Sequence, residues 1–153
     1  MIDWFVRAFL KASLFWFSCA IAVALAMALF PSLTSYRTAH FHLALLGFVT
    51  QMIYGVALHV VPRFFGQPLV HRRLAEVQFW AAQAGLILLV FGFVARTLDW
   101  RAGPLLLAAG GAFTALGAGC FVVNIWRTMD ASPMQTINSR GRAVPVLPQP
   151  DAH

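Results

Sequence analysis

Charge is what this sequence has least of. Asp, Glu, Lys and Arg make up 10% of its 153 residues and hydrophobic side chains 60%, whereas charged residues are about a quarter of an ordinary globular chain. That composition excludes a soluble domain. Acidic residues number only five. Of these Glu76 and Asp99 come nearest to the apolar runs, at positions that read as interfacial, and Glu76 is expected to neutralise Arg72 or Arg73 at a helix start. The buried carboxylates that a proton pump or transporter wants are therefore missing. Cysteine is scarce as well. Cys19 and Cys120 lie inside apolar runs, with no CxxC or Cys/His spacing, so neither a zinc site nor a disulfide framework is indicated. There is no CxxCH haem-attachment site, no glycine-rich phosphate loop after a strand, and no Ser/His/Asp set in register. A hydrolytic enzyme is not indicated. The net charge of +6 is no nucleic-acid signal either, because the basic residues sit between apolar runs, where they orient a chain in a membrane.

What is present is long apolar runs. Met1 to Lys11 is short and amphipathic, with Asp3, Arg7 and Lys11 among Trp4, Phe5 and Phe9, and is expected to lie at the interface as a lead-in. Residues 12–30 then run uncharged for about the length needed to cross. A signal peptide competes, since Arg7 and Lys11 precede the run and Ala24-Leu25-Ala26 resembles a cleavage site. The run continues past that site to Phe30, which favours a retained helix. Pro31 closes it, and residues 32–38 form a loop. The second span covers 39–61, closed by Pro62 and Arg63. The third covers 74–95, with Gln78 near its start and Gln83 deeper. The fourth covers 104–126 and contains Gly111, Ala115 and Gly119, a small-residue ladder that lets backbones approach within the chain or across a dimer. The expected fold is all-α, a four-helix transmembrane bundle over 1–127. A tail over 128–153, with Pro133, Pro145, Pro148 and Pro150, has too little apolar periodicity to fold alone.

Sidedness follows from the basic residues. Arg7, Lys11, Arg63, Arg72, Arg73, Arg127, Arg140 and Arg142 fall on one side, and only Arg37, Arg96 and Arg101 on the other. The positive-inside rule places both termini in the cytoplasm of a bacterial-type inner (plasma) membrane. His40 and His42 then lie near the outer face and His59 near the cytoplasmic one.

The chemistry concentrates in the second span, Ala39 to Arg63, which reads AHFHLALLGFVTQMIYGVALHVVPR. Ionisable residues within a span are expensive to keep there and mark function by default. At roughly 100° per residue, His40, Ala44, Gly47, Gln51, Gly55 and Leu58 fall in one arc of about 80°, with His59 at its edge and His42 opposite. Such a seam admits a flat macrocycle or, equally, a neighbouring helix. For a b-type haem, His40 offers an axial nitrogen, Gly47 and Ala44 a slender flank, and Arg37 a cation for the propionates. His40 and His59 stand roughly 28 Å apart along a helix, too far to share a metal. Interfacial hydrogen bonding to headgroups or water is the competing reading for His40, His42 and His59, and His71 reads as solvated in a basic loop.

The same stretch resembles the second transmembrane helix of subunit I of heme-copper oxidases, in the branch of the C-type oxidases and nitric oxide reductases. The resemblance implies that a His at the outer end of this helix is an axial ligand of the low-spin haem b. His40 matches that position, and His59-Val-Val-Pro-Arg63 matches the exit of the helix. It departs elsewhere: subunit I has about a dozen spans, a second ligand from a late helix, and a histidine cluster for a binuclear centre, none of which this sequence contains. Whether it is an enzyme stays open. A sixth ligand would come from another chain, from His42 after a local distortion, from a Met such as Met27, or from nowhere. A twofold homodimer apposing two histidine helices would supply one His from each protomer. The expected function is haem b binding through His40, with His42 or His59 as further candidates. It would serve one-electron transfer or gas-ligand binding in a respiratory chain, alongside other membrane subunits or a redox partner. The alternative is a cofactor-free structural or assembly subunit that docks through the same seam.

Overall fold

The computed structural model describes residues 2–131, 135–137 and 143–145. Four helices, each long and apolar enough to cross a membrane, dominate it: α1 (Trp4–Leu29), α2 (Pro31–Phe64), α3 (Arg72–Thr97) and α4 (Gly103–Asp130). Each extends a few residues beyond its apolar run. Beyond α4, Gln135–Ile137 pairs antiparallel with Ala143–Pro145, and the rest of the tail lies outside the described residues.

The first departure from expectation is at the start. Residues 4–11, expected as a lead-in to the first span, are the first turns of α1 itself, and Phe5 and Phe9 are fully buried. Phe9 meets Tyr54 and Phe79 edge-on, with ring centroids 5.6 and 5.1 Å apart. Such pairs are worth about 0.5–1.5 kcal/mol beyond simple burial. Two polar side chains at the start of this segment have partners on α3. Asp3 pairs with Arg72, and the Trp4 indole N–H donates to Glu76 Oε1 at 3.2 Å.

The second departure is in α2. Residues 32–38 are not a loop, because Pro31 opens a 3₁₀ turn over Pro31–Tyr36 that runs straight into the helix. A regular α turn follows over Arg37–His42, then a π-helical stretch over Leu43–Thr50, then α-helix again over Gln51–Phe64. Pro62 does not end the helix either. It is buried in the last turn, and the stop comes at Gly66 with φ +66°. There Gly66 N–H bonds Arg63 O and Gln67 N–H bonds Pro62 O, the paired closure of a Schellman motif.

The π winding resets the buried face. Ala39, Leu43, Gly47, Gln51 and Gly55 are all buried, a strict four-residue repeat. In a regular α-helix each step of four drifts by about 40°, so this row would spiral off one face; the wider i→i+5 turns of a π-helix take up the drift. His40 and Ala44 therefore yield the seam to Ala39 and Leu43, and both are only half-buried.

Helices α3 and α4 pack through glycine. A methyl group on Gly85 would sit 2.7 Å from Thr114 N, and one on Gly110 would sit 2.7 Å from Leu89 N. The buried stripe on α4 is Gly103, Gly110, Gly117 and Asn124. Its seven-residue repeat drifts by only about 20° per step on a straight helix. The ladder expected to pack, Gly111, Ala115 and Gly119, is one residue out of phase. Gly111 and Gly119 meet nothing within 4 Å, and Ala115 is exposed. That face is turned away from the other described residues.

Candidate functional site

The two histidines at the start of α2 have different surroundings. His42 Nδ1 lies 2.8 Å from Thr38 O. A carbonyl can only accept, so Nδ1 carries the proton, and in the neutral ring Nε2 keeps a bare lone pair. This is the orientation in which ligating histidines are ordinarily held. The ring lies on Phe93 of α3, centroids 4.6 Å apart. Beside it, Ser35, Thr38, Phe93, Arg96 and Thr97 line a cavity of about 510 Å³. His40 is half-buried, and its Nδ1 is shielded from solvent with no hydrogen-bond partner. Arg37 is exposed at the same end of the helix. Nothing in the sequence singles out Thr38, Phe93 or Arg96, because their place beside His42 depends on how α2 and α3 are rotated.

The other candidates separate from this pair. At the far end of α2, Arg63 donates to His59 Nδ1 and also to His59 O. Nδ1 must accept there, so in the neutral ring Nε2 bears the proton and no nitrogen is free for a metal. His71 is exposed. Met27 lines an apolar cavity of about 230 Å³ with Ala39 and Leu43, residues of the buried face rather than the His40 face. Among the described residues no three of His, Cys, Asp and Glu converge. The histidines occur in ones and twos, the number that axial ligation uses.

Gly47 and Gln51 belong to helix packing. A methyl group on Gly47 would stand 2.7 Å from Trp16 Cβ and 3.0 Å from Leu86 Cδ2. Gln51 is buried, and its Oε1 accepts from Gln83 Nε2 at 2.6 Å. Gln83 Oε1 in turn accepts from the Trp16 indole at 3.0 Å. This polar chain ties α1, α2 and α3 together at mid-membrane, where hydrogen bonds act between helices as glue. Of the two occupants that the seam admits, the neighbouring helix is the one in place. A macrocycle does not fit on the Gly47–Gln51 side. The histidine end, with two imidazoles and the cations Arg37 and Arg96, does suit an axially held group.

No family model matches the chain. It is 27% identical over 124 residues to the cbb3-type cytochrome c oxidase subunit CcoN1 of Stutzerimonas stutzeri, an alignment covering 65% of this chain and 26% of that protein. The chain thus spans about a quarter of the length of its curated relative. What sequence and fold establish together is a multi-pass, four-helix membrane protein similar to part of an oxidase subunit.

Proposed function

We propose that this chain is a b-type haem-binding membrane subunit of a respiratory system, with His40 as axial donor. The observation that carries the reading is the His40 imidazole itself, whose Nδ1 is shielded and has no partner among the described residues. A buried polar atom without a partner costs roughly 1–3 kcal/mol and calls for one. With Nδ1 shielded, an external group would meet the ring at Nε2, where it breaks no hydrogen bond made by the described residues. Similarity to part of an oxidase subunit supports the same reading. A haem held there supplies reversible one-electron chemistry, or binds a gas where the iron keeps an open position.

The chain's own residues have distinct tasks. His40 donates a nitrogen. His42, locked by Thr38 with Nε2 bare, is the second donor within this end of α2. Arg37 and Arg96 balance propionate charge. Because Trp16 and Leu86 close the Gly47 side, the macrocycle would lie toward the outward side of α2. Phe41 and Leu45 are exposed there, and a second protomer or another subunit would complete the enclosure.

The cofactor-free alternative, a structural or assembly subunit, draws support from the same packed seam, in which Trp16, Gln83 and Gln51 Oε1 are already joined by hydrogen bonds between helices. Visible spectra of protein purified from haem-supplemented cells separate the two. The haem reading expects a Soret band, with sharp α and β bands on reduction, that is lost or strongly shifted in His40→Ala. Carbon monoxide then reports whether the iron has an open position. Haem-free wild-type protein would establish the alternative, and loss in His42→Ala with retention in His40→Ala would transfer the ligand role to His42.

A further inference from the structure

At the opposite end of the bundle from His40, α3 and α4 enclose an open cleft of about 700 Å³ lined by His71, Arg73, Leu74, Val77, Val123 and Arg127. Its rim is fixed by hydrogen bonds. Asn124, fully buried, accepts His71 N–H at 3.3 Å and donates to His71 O at 3.0 Å. Thr128 Oγ1 accepts Val70 N–H, and the Gln67 amide donates to Thr128 O. The loop before α3 is thereby tied to the last turns of α4.

Charge in this cleft does not cancel. Arg72 pairs with Asp3, the one ion pair among the described residues. Arg73 and Arg127 are exposed, and no carboxylate lies within pairing distance of either among the described residues. Glu76, the nearest acid in sequence to Arg73, takes the Trp4 indole N–H.

Below the cations the walls turn apolar. A second groove of about 560 Å³ shares Arg73 and Val77 with the cleft, includes Glu76, and continues past Trp80, Ala84, Phe113 and Leu116. From Arg73 to Ala84 the helix rises roughly 16 Å. That is about half the ~30 Å hydrocarbon thickness, the depth of one leaflet.

We propose that cleft and groove together bind one anionic phospholipid. Its phosphate lies on Arg73 and Arg127, and one acyl chain follows the groove between α3 and α4. A free phosphate would satisfy the arginines and leave the apolar groove unused. A zwitterionic lipid would fill the groove but bring a cation of its own to the arginines. The site is independent of haem.

The test is native mass spectrometry of the full chain, released from nanodiscs containing equal amounts of phosphatidylglycerol and phosphatidylcholine. Two basic residues at an anionic headgroup predict about thirtyfold enrichment of bound phosphatidylglycerol. Arg73→Gln and Arg127→Gln should each cut the enrichment about fivefold. Arg101→Gln, the same charge change at the other end of the bundle, should leave it intact. Ala84→Trp, which fills the groove while keeping both cations, should release the lipid. Equal retention of the two lipids by the wild-type protein overturns the proposal whatever the variants do. So does enrichment unchanged in both arginine variants, or complete displacement of the lipid by millimolar inorganic phosphate, which would mark a free-anion site.

Discussion

Asp99 and Gly66 hold the same position in two equivalent turns, and only one of them is the residue that position favours. Both sit just past a helix end with positive φ, 55° and 66° respectively. Both turns close with the same pair of backbone bonds, Asp99 N–H to Arg96 O and Trp100 N–H to Ala95 O matching those at Gly66. The left-handed conformation costs a side-chain-bearing residue roughly 1–2 kcal/mol, less for Asp than for most. Asp99→Gly should therefore stabilise the protein by about 0.5–1 kcal/mol, and Gly66→Ala should cost about 1 kcal/mol. No described residue lies within 4 Å of a methyl group on Gly66, so the second value is backbone strain offset by the lower unfolded-state entropy of Ala, with no packing clash. Thermal unfolding in detergent, followed by circular dichroism, reads both; a destabilised Asp99→Gly would refute the assignment. At this scale the sequence was informative about which residues matter and silent about their state. His40, His42 and His59 stand out as ionisable groups in an apolar run. That His42 keeps Nε2 bare while His59 does not depends on a carbonyl in one case and a guanidinium in the other.

Among the elements, α4 gives the sharpest contrast. Gly110 and Gly111 are neighbours in sequence, and their substitution should have opposite consequences. Gly110→Leu drives a side chain into the backbone of α3 at Leu89. Overpacking of that kind costs about 1–3 kcal/mol or more, and little folded monomer should survive fluorescence-detected size-exclusion chromatography. Gly111→Leu with Gly119→Leu should leave the monomer folded, since neither position meets anything within 4 Å. A change from dimer to monomer in that double variant would place the ladder at a protomer interface; loss of folded monomer would contradict the packing described. Four apolar runs made the four helices legible. Rotation about each axis was not. When nearly every position is apolar, hydropathy no longer distinguishes inward from outward, and two small-residue rows one position apart look alike. In α2 the difficulty is compounded, because the π winding over Leu43–Thr50 breaks the constant 100° step on which the expected His40 seam rested.

For the whole molecule, an even number of spans brings the start of α1 and the end of α4 to one side. Contacts of Asp3 with Arg72, Trp4 with Glu76, and Gln67 with Thr128 gather the start of α1, the end of α2, the start of α3 and the end of α4 at one end of the bundle. Arg7, Lys11, Arg63, Arg72, Arg73 and Arg127 belong to these segments, whereas Arg37, Arg96 and Arg101 belong to the opposite ends. The expected orientation puts the richer end in the cytoplasm. Reporter fusions truncated after Ser35 and after Gln67 should then be active outside and inside, respectively. Signals from the same compartment would reject the topology. At 34 residues, α2 is roughly 50 Å long, well beyond the ~30 Å hydrocarbon core. A helix of that length overhangs the hydrocarbon core, and the expected placement puts the histidine pair near one membrane surface.

The burial of Phe5 and Phe9 has a consequence for synthesis. Their partners Tyr54, Leu58, Ala75 and Phe79 are made much later, and at about 5–20 residues per second the ribosome takes several seconds to reach them. During that interval α1 stands in the bilayer with its aromatic face against lipid or insertion machinery. α1 packs mainly on α2, the helix made directly after it, as α3 and α4 pack on each other, so each pair can join as a hairpin soon after its second helix is threaded. Ala75 and Phe79 of α3 then complete the cluster around Phe5 and Phe9 as the two hairpins dock. A pause in translation between α2 and α3 would lengthen the time for which that aromatic face stands open, the step at which quality-control proteases have their best opportunity.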